Sequence, residues 1–389
     1  VGLAEETRTT RSAVEGTAPH PPRSLSQAVG RYTYRYLWEI ISSKHTLKID
    51  MNTKQVVIDT TTHTEIVQSL SEKLKTYYVF PDIAEQLCIR LQKHLEDGAY
   101  TDITEGELLA LALTVHMQEV NQDKHLFVRW YPEPLPDHEG PMYQNQQWLD
   151  ERRQQAKLDN YGLHKAERLP GNVGYLDIRE FHNSSWGGDT AVAAMNFLAN
   201  TDVLIIDLCK CRGGDPDMIA LISSYLFGEE PVHLNNLYWR EEDVTQQYWT
   251  LPYIPGKRFG DKPVYVLTSK DTFSGGEEFA YNLKIRHRAI LVGETTGGGA
   301  HPGSTYRLHS HFEVFIPVGR AINPITGTNW EGCGVTPDIP VPQEQAFKVA
   351  YNMALKSIIA SLGETPSGSF KTFAEEAQTA LKGKVSANP

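Results

Sequence analysis

The sequence predicts an α/β fold, and three observations carry that prediction. The run Val203-Leu204-Ile205-Ile206-Asp207-Leu208 is apolar without alternation, as expected of a strand covered on both faces. Similar runs recur at 172–178, 263–268 and 289–292, separated by segments with apolar residues at helical spacing, which favours parallel pairing. Three buried strands also lead into glycine-bearing turns, Arg212-Gly213-Gly214, Phe273-Ser274-Gly275 and Thr296-Gly297-Gly298-Gly299. In a parallel sheet such turns gather at the carboxyl edge of the strands, where ligands bind.

Length and composition bound the rest. A chain of 389 residues buries a sizeable core and has room for two or three structural units. Its 37 Lys and Arg against 48 Asp and Glu leave a net charge of −11, which argues against a nucleic-acid or anionic-membrane partner. No apolar run approaches the length of a membrane span, and the N-terminus lacks a basic-then-apolar signal pattern. Cys88, Cys209, Cys211 and Cys333 have no zinc-site spacing and read as thiols, so neither a metal nor an organic cofactor is expected. Few cysteines and no leader slightly favour a cytoplasmic location.

Taken in order, residues 1–55 read as a poorly ordered extension, polar with Pro21-Pro22, with a short helix at Tyr32–Ile41 and an alternative start at Met51. Residues 56–130 read as a helical domain. Ile66, Leu70 and Leu74 share one face of a helix at 64–79, and Ile83, Leu87 and Leu91 one face of a second helix at 83–95. Thr104-Glu105-Gly106-Glu107 reads as a capping box before a third helix at 108–120. Asn121-Gln122-Asp123-Lys124-His125 then breaks helix, placing His125 at the edge of a strand, Leu126–Trp130. Residues 131–170, proline-bearing and then charged with a helix at 144–157, read as a linker. The strand–helix alternation occupies 171–345, and a closing helix over 343–362 leads into a small, polar tail ending at 389.

The residues with chemistry lie on the glycine turns. Ser274 sits where a buried strand passes into a helix, which exposes its hydroxyl and aims N–H groups at whatever it attacks. The alternative is a plain helix N-cap. Gly213, Gly214 and Gly275 can present N–H groups to a developing oxyanion, or can simply turn the chain. A serine nucleophile needs a base. Lys284 is ten residues along the helix, roughly 15 Å by helical rise, and so too far. His301 in the glycine loop and His125 from the helical domain are the candidates, and Glu331 is the strongest carboxylate to orient either.

Four motifs in order, Asp207-Leu208 with Arg212-Gly213-Gly214, Ser274-Gly275-Gly276-Glu277, Gly293-Glu294-Thr295-Thr296, and Glu331 with Gly334-Val335-Thr336-Pro337-Asp338, resemble the tail-specific, or C-terminal processing, serine protease family. Tyr77-Tyr78-Val79-Phe80-Pro81 and Asp123-Lys124-His125-Leu126 resemble the helical cap of its branch containing the tricorn core protease and the modules of interphotoreceptor retinoid-binding protein. The resemblance implies a crotonase-like β-β-α sandwich with an N-terminal helical cap and, given the short 131–170 segment, no PDZ insertion. It implies a serine peptidase with a peptide or protein substrate. Ser274 matches its nucleophile, His125 its base, Glu331 its orienting acid, and Gly275 with Gly213 or Gly214 its oxyanion hole. Gly299 falls where relatives of the Ser-Lys type carry their base lysine, and Lys124 where the tricorn protease has a serine. The rival from another class is a non-catalytic module of the same fold that binds retinoid or fatty acid; His301 is the alternative base. A homo-oligomer is compatible with the sequence.

Overall fold

A computed structural model describes residues 58–363 and 367–383. The expected N-terminal extension, its short helix and Met51 lie outside the described residues. The described residues belong to one compact unit.

Helix α1 (Thr60–Tyr77) is started by Asp59, whose carboxylate accepts from Thr62 N at 2.8 Å, and it buries Ile66, Val67, Leu70 and Leu74. Pro81 opens α2 (Pro81–Glu96), where its missing N–H costs nothing. Helix α3 (Gly106–Gln118) begins without the expected capping box: Glu105 is the N-cap and makes no side-chain cap bond. Gly106 is there for space, because a Cβ would lie 2.2 Å from the Trp130 indole. Trp130 closes β1 (Phe127–Trp130), which pairs antiparallel with β10 (Phe312–Pro317), itself paired with β9 (Gly303–His309). The helices are thereby tied through β1 to the part of the chain that follows the glycine loop.

Helix α4 (Gln146–Leu158) lies where a charged helix was expected, but the linker reading of 131–170 misses a strand. Leu163–Leu169 forms β2, antiparallel to β3 (Val173–Ile178) at the edge of the main sheet. Its polar side chains at 164, 165, 167 and 168 are partly or fully exposed, as suits an antiparallel edge strand with one wet face.

The main sheet has the order β12-β8-β7-β4-β3-β2, with β4 (Val203–Asp207), β7 (Val264–Thr268), β8 (Ile290–Gly293) and β12 (Ile339–Pro340) joining β3 in parallel. One face is covered by α5 (Ser184–Leu198), α6 (Pro216–Ser224) and α7 (Gly275–Ile285). On that side lies a second sheet of β5 (His233–Trp239), β6 (Val244–Trp249) and β11 (Gly319–Ile322). The other face is closed by α8 (Gln343–Ser361) and α9 (Ser369–Leu381), through Ala346, Ala350, Leu355 and Ala377. Ile205 and Ile206 are both fully buried, one on each face, which is why β4 needs an unbroken apolar run. Among the described residues no helix is long and apolar enough to cross a membrane.

Candidate active site

The carboxyl ends of β4, β7 and β8 bring the three glycine turns together. Ser274 stands between β7 and α7 with φ 53° and ψ −121°, a backbone state costly for a residue with a Cβ. Glu277, one turn into α7 and fully buried, holds it there. Its Oε2 accepts from Ser274 N at 2.9 Å and Gly299 N at 2.8 Å, and its Oε1 from Gly298 N at 2.6 Å and Thr296 Oγ1 at 2.5 Å. One carboxylate thus fastens the serine turn to the glycine loop. Burial pushes its carboxyl up to about 7, against the pull of these four donors.

The Gly213–Gly214 turn lies directly against the serine. A Cβ at Gly213 would fall 2.7 Å from Ser274 Cβ, and one at Gly275 would fall 2.9 Å from Gly214 N. Both turn glycines have positive φ, 119° and 127°. The Gly213–Gly214 turn and Gly275 thus pack against one another beside Ser274.

His125 comes from the far side, out of the loop between α3 and β1. Its Nε2 is 3.0 Å from Ser274 Oγ. The imidazole is 6% exposed, packed against Phe273 at 4.6 Å and Phe315 at 5.8 Å between centroids. Burial, the largest influence, together with the charge of His301 outweighs Asp123 and lowers it to about 4. It is therefore neutral at neutral pH, with a lone pair free to take a proton. Gly299 leaves room for it: a Cβ there would lie 2.3 Å from Phe273 Cζ and 2.7 Å from His125 Cε1. A lysine at 299 and a histidine at 125 cannot share this space.

His301 faces elsewhere. Its Nδ1 meets Asp123 Oδ2 at 2.8 Å and lies 3.5 Å from Glu331 Oε2. Burial opposes its charge, yet the bond to Asp123 and the two carboxylates raise it above its ordinary value. Asp123, 1% exposed, is the hub: Oδ1 accepts from His125 N at 3.0 Å, and Oδ2 also accepts from Tyr78 OH at 3.1 Å. Burial raises its carboxyl, but the bond and charge of His301, with His125, leave it below the usual range. Sequence reading passed over both Asp123 and Glu277. Asp123 sat in a run read as a helix breaker and as part of a cap motif, and Glu277 was one letter of a motif; neither was given a role.

Glu331 is not hydrogen-bonded to His125. Its Oε2 accepts from Ala300 N at 2.5 Å, burial and the Asp123 charge raise its carboxyl, and His125 Nδ1 is buried with no hydrogen-bond partner. Ligand-capable atoms of Asp123, His125 and Glu331 nonetheless lie within 4.8 Å of one another. Lys124 Nζ donates to Gly297 O at 2.5 Å, tying the His125 loop to the glycine loop. Lys284 turns away from the site, donating to Thr336 O and pairing with Asp338 at 3.4 Å. Cys209 and Cys211 are buried thiols and Cys333 is an exposed one.

Two family models match the chain. The model of peptidase family S41 matches residues 172–341, and that of the N-terminal domain of the same family in eukaryotic IRBP matches 51–158, so together they span well over half of it. The chain belongs to peptidase family S41. The S41 chain is 26% identical over 181 residues to the carboxy-terminal-processing protease of Bartonella bacilliformis, covering 45% of this chain and 40% of that protein. It is 26% identical over 180 residues to the chloroplastic carboxyl-terminal-processing peptidase 1 of Arabidopsis thaliana, covering 46% of this chain and 35% of that one. It thus matches less than half the length of either relative. Among solved structures, a candidate peptidase from Parabacteroides merdae aligns with TM-score 0.52 at 18% identity, over 79% of this chain and 99% of that one. A lipoprotein from Streptococcus agalactiae aligns with TM-score 0.50 at 14% identity, again over 79% and 99%. These two alignments show the shared mixed α/β fold.

Proposed function

We propose that the S41 chain is a serine peptidase that cleaves peptide bonds through an acyl-enzyme on Ser274. The observation that carries the reading is the 3.0 Å contact between Ser274 Oγ and a buried, neutral His125 Nε2. His125 takes the hydroxyl proton as Ser274 attacks the carbonyl, then returns it to the leaving amine. The negative oxygen formed in that step is received by the N–H groups of Gly275 and of Gly213 or Gly214, each typically worth about 10²–10³ in rate. Gly213 also contributes space beside Ser274, where a Cβ would fall 2.7 Å from Ser274 Cβ. Glu331 supplies negative charge behind the imidazole across a gap of up to 4.8 Å. The substrate class is a protein or peptide trimmed near its carboxyl terminus, as the names of the two relatives suggest.

The same reading extends to architecture. We take residues 171–345 as a crotonase-like core with the 56–130 helices as its cap. The intervening segment carries α4 and β2, which supports a reading without a PDZ insertion.

The decisive experiment is labelling with a fluorophosphonate probe, with Ser274→Ala alongside. Labelling of the wild type that is lost in a natively folded Ser274→Ala is expected. An unlabelled, well-folded wild type overturns the nucleophile and favours the lipid-binding module.

A further inference from the structure

Among the described residues, three groups of His, Asp and Glu bring ligand-capable atoms within 4.8 Å of one another. Asp123, His125 and Glu331 belong to the candidate active site. In the second group His94 and His116 stack face to face, 3.6 Å apart at 8°, so their ring planes are parallel and cannot both contain one ion. His94 is also bonded to Glu119 at 3.1 Å, and Arg90 lies 3.5 Å from the same carboxylate. That group is an ion-pair cluster in which a cation already sits.

The third group differs on each point. His182 Nε2 is buried and has no hydrogen-bond partner. Asp159 Oδ1 stands 3.5 Å from it and Glu180 Oε2 3.7 Å. These separations are too long for good hydrogen bonds. They are close to the roughly 3.3 Å edge of a tetrahedron with metal bonds of about 2.0–2.1 Å. Both carboxylates are about half exposed, at 49% and 46%, so an ion can enter from solvent and keep a water as its fourth ligand.

The backbone holds the donors in place. Asn160 and Tyr161 both have φ 56°, a left-handed turn that is costly without glycine and that follows Asp159 immediately. Gly162 packs so closely that a Cβ there would lie 2.1 Å from Glu180 O, and Arg179 N donates to Gly162 O at 2.8 Å. The turn bearing Asp159 is thus clamped against the segment bearing Glu180 and His182.

The geometry points to a binding site for a divalent transition-metal ion at Asp159, Glu180 and His182, suited to Zn²⁺. One imidazole and two carboxylates balance the ion's charge and match its preferred donors. Between Glu180 and His182, Phe181 bonds the oxyanion turn from both sides: its N donates to Gly213 O at 2.8 Å and its O accepts from Asp215 N at 2.6 Å. A bound ion braces that turn from behind.

Zn²⁺ titration calorimetry on the metal-stripped full chain tests the site, comparing wild type with His182→Ala and with Glu180→Gln, which keeps the side-chain shape. Each variant removes a direct ligand, so each should weaken this site by more than the ~10–100-fold typical of losing an outer-shell partner. Zn²⁺ should also raise the melting temperature of the wild type more than that of either variant. Identical isotherms in wild type and both natively folded variants, or no Zn²⁺ uptake by the wild type, overturn the site and leave an ordinary ion cluster. Neither readout depends on Ser274.

Discussion

Two buried histidines flank Asp123, and the same burial leaves them in opposite states. His125 lies against aromatic rings, has no partner at Nδ1 and is held well below its ordinary range, at about 4. His301 lies as deep but meets a carboxylate at 2.8 Å and a second at 3.5 Å, and is raised. Depth alone therefore does not set the charge; the nearest partner does. The neutral ring faces Ser274 and can accept a proton. The ring whose protonated form is favoured is engaged by Asp123, which also fixes the backbone of His125. The pair reads as a base and a support, and that division can be broken experimentally.

The largest effect expected is from His125→Ala. If His125 is the base, turnover of a peptide substrate should fall by about 10⁶, close to the loss from Ser274→Ala, because such groups act as a unit. His301→Ala should act mainly on stability. It leaves Asp123 buried without its counter-charge, a change that typically costs about 3–5 kcal/mol. Urea melts and steady-state kinetics on both variants separate the roles. A stable His301→Ala protein that has lost turnover as completely as Ser274→Ala would exchange them.

What sequence could reveal follows the same divide. The strands β4 and β7, and the turns with Ser274, Gly213 and Gly275, are local features: an apolar run passes straight into a glycine turn, and sheet geometry does the gathering. Two strands escaped because polar residues blur their pattern: β2 at the edge of the main sheet and β5 in the middle of the second. β2 carries polar residues along an exposed edge, and β5 carries Asn235 and Asn236 in its middle. Asp123 and Glu277 escaped because their partners lie far along the chain. Asp123 meets His301 across 178 positions, and Glu277 meets the glycine loop about 20 positions on. The choice between His125 and His301 likewise needed the fold, since both follow helix-breaking residues. The space that Gly299 leaves for His125 is visible only once Phe273 is in place.

A smaller effect lies in pH dependence, where the two histidines should pull in opposite directions. His125 titrates at about 4 folded against 6.5 ordinarily, so below 6.5 the unfolded chain binds the extra proton. Stability from this residue therefore falls as pH drops from about 6.5 towards 4. His301 is raised above 6.5, so its contribution is full below that value and is lost as pH rises through its folded value. The stability gap between wild type and His301→Ala should narrow as pH rises above the ordinary histidine value of 6.5, as measured by urea melts. For turnover, His125 stays unprotonated down to about 4, so its loss should place the acid limb of kcat/KM well below the ordinary histidine range. An acid limb near 6.5 would mean that the base is not this buried ring.

The smallest effect expected is from Glu331→Gln. The amide oxygen can still accept from Ala300 N, so the glycine loop should keep its shape. Only the negative charge near His301 and behind His125 is lost. With no direct bond from Glu331 to His125, we expect turnover to fall by about tenfold, a cost of about 1.4 kcal/mol. A loss nearer 10⁴ is typical when a carboxylate bonded directly to a catalytic imidazole is replaced by its amide. A loss of that size would mean that Glu331 leaves Ala300 during turnover and closes on the unpartnered Nδ1 of His125. The two outcomes differ by about a thousandfold, so steady-state kinetics on this variant decides whether the support for His125 comes from Glu331 directly or through Asp123.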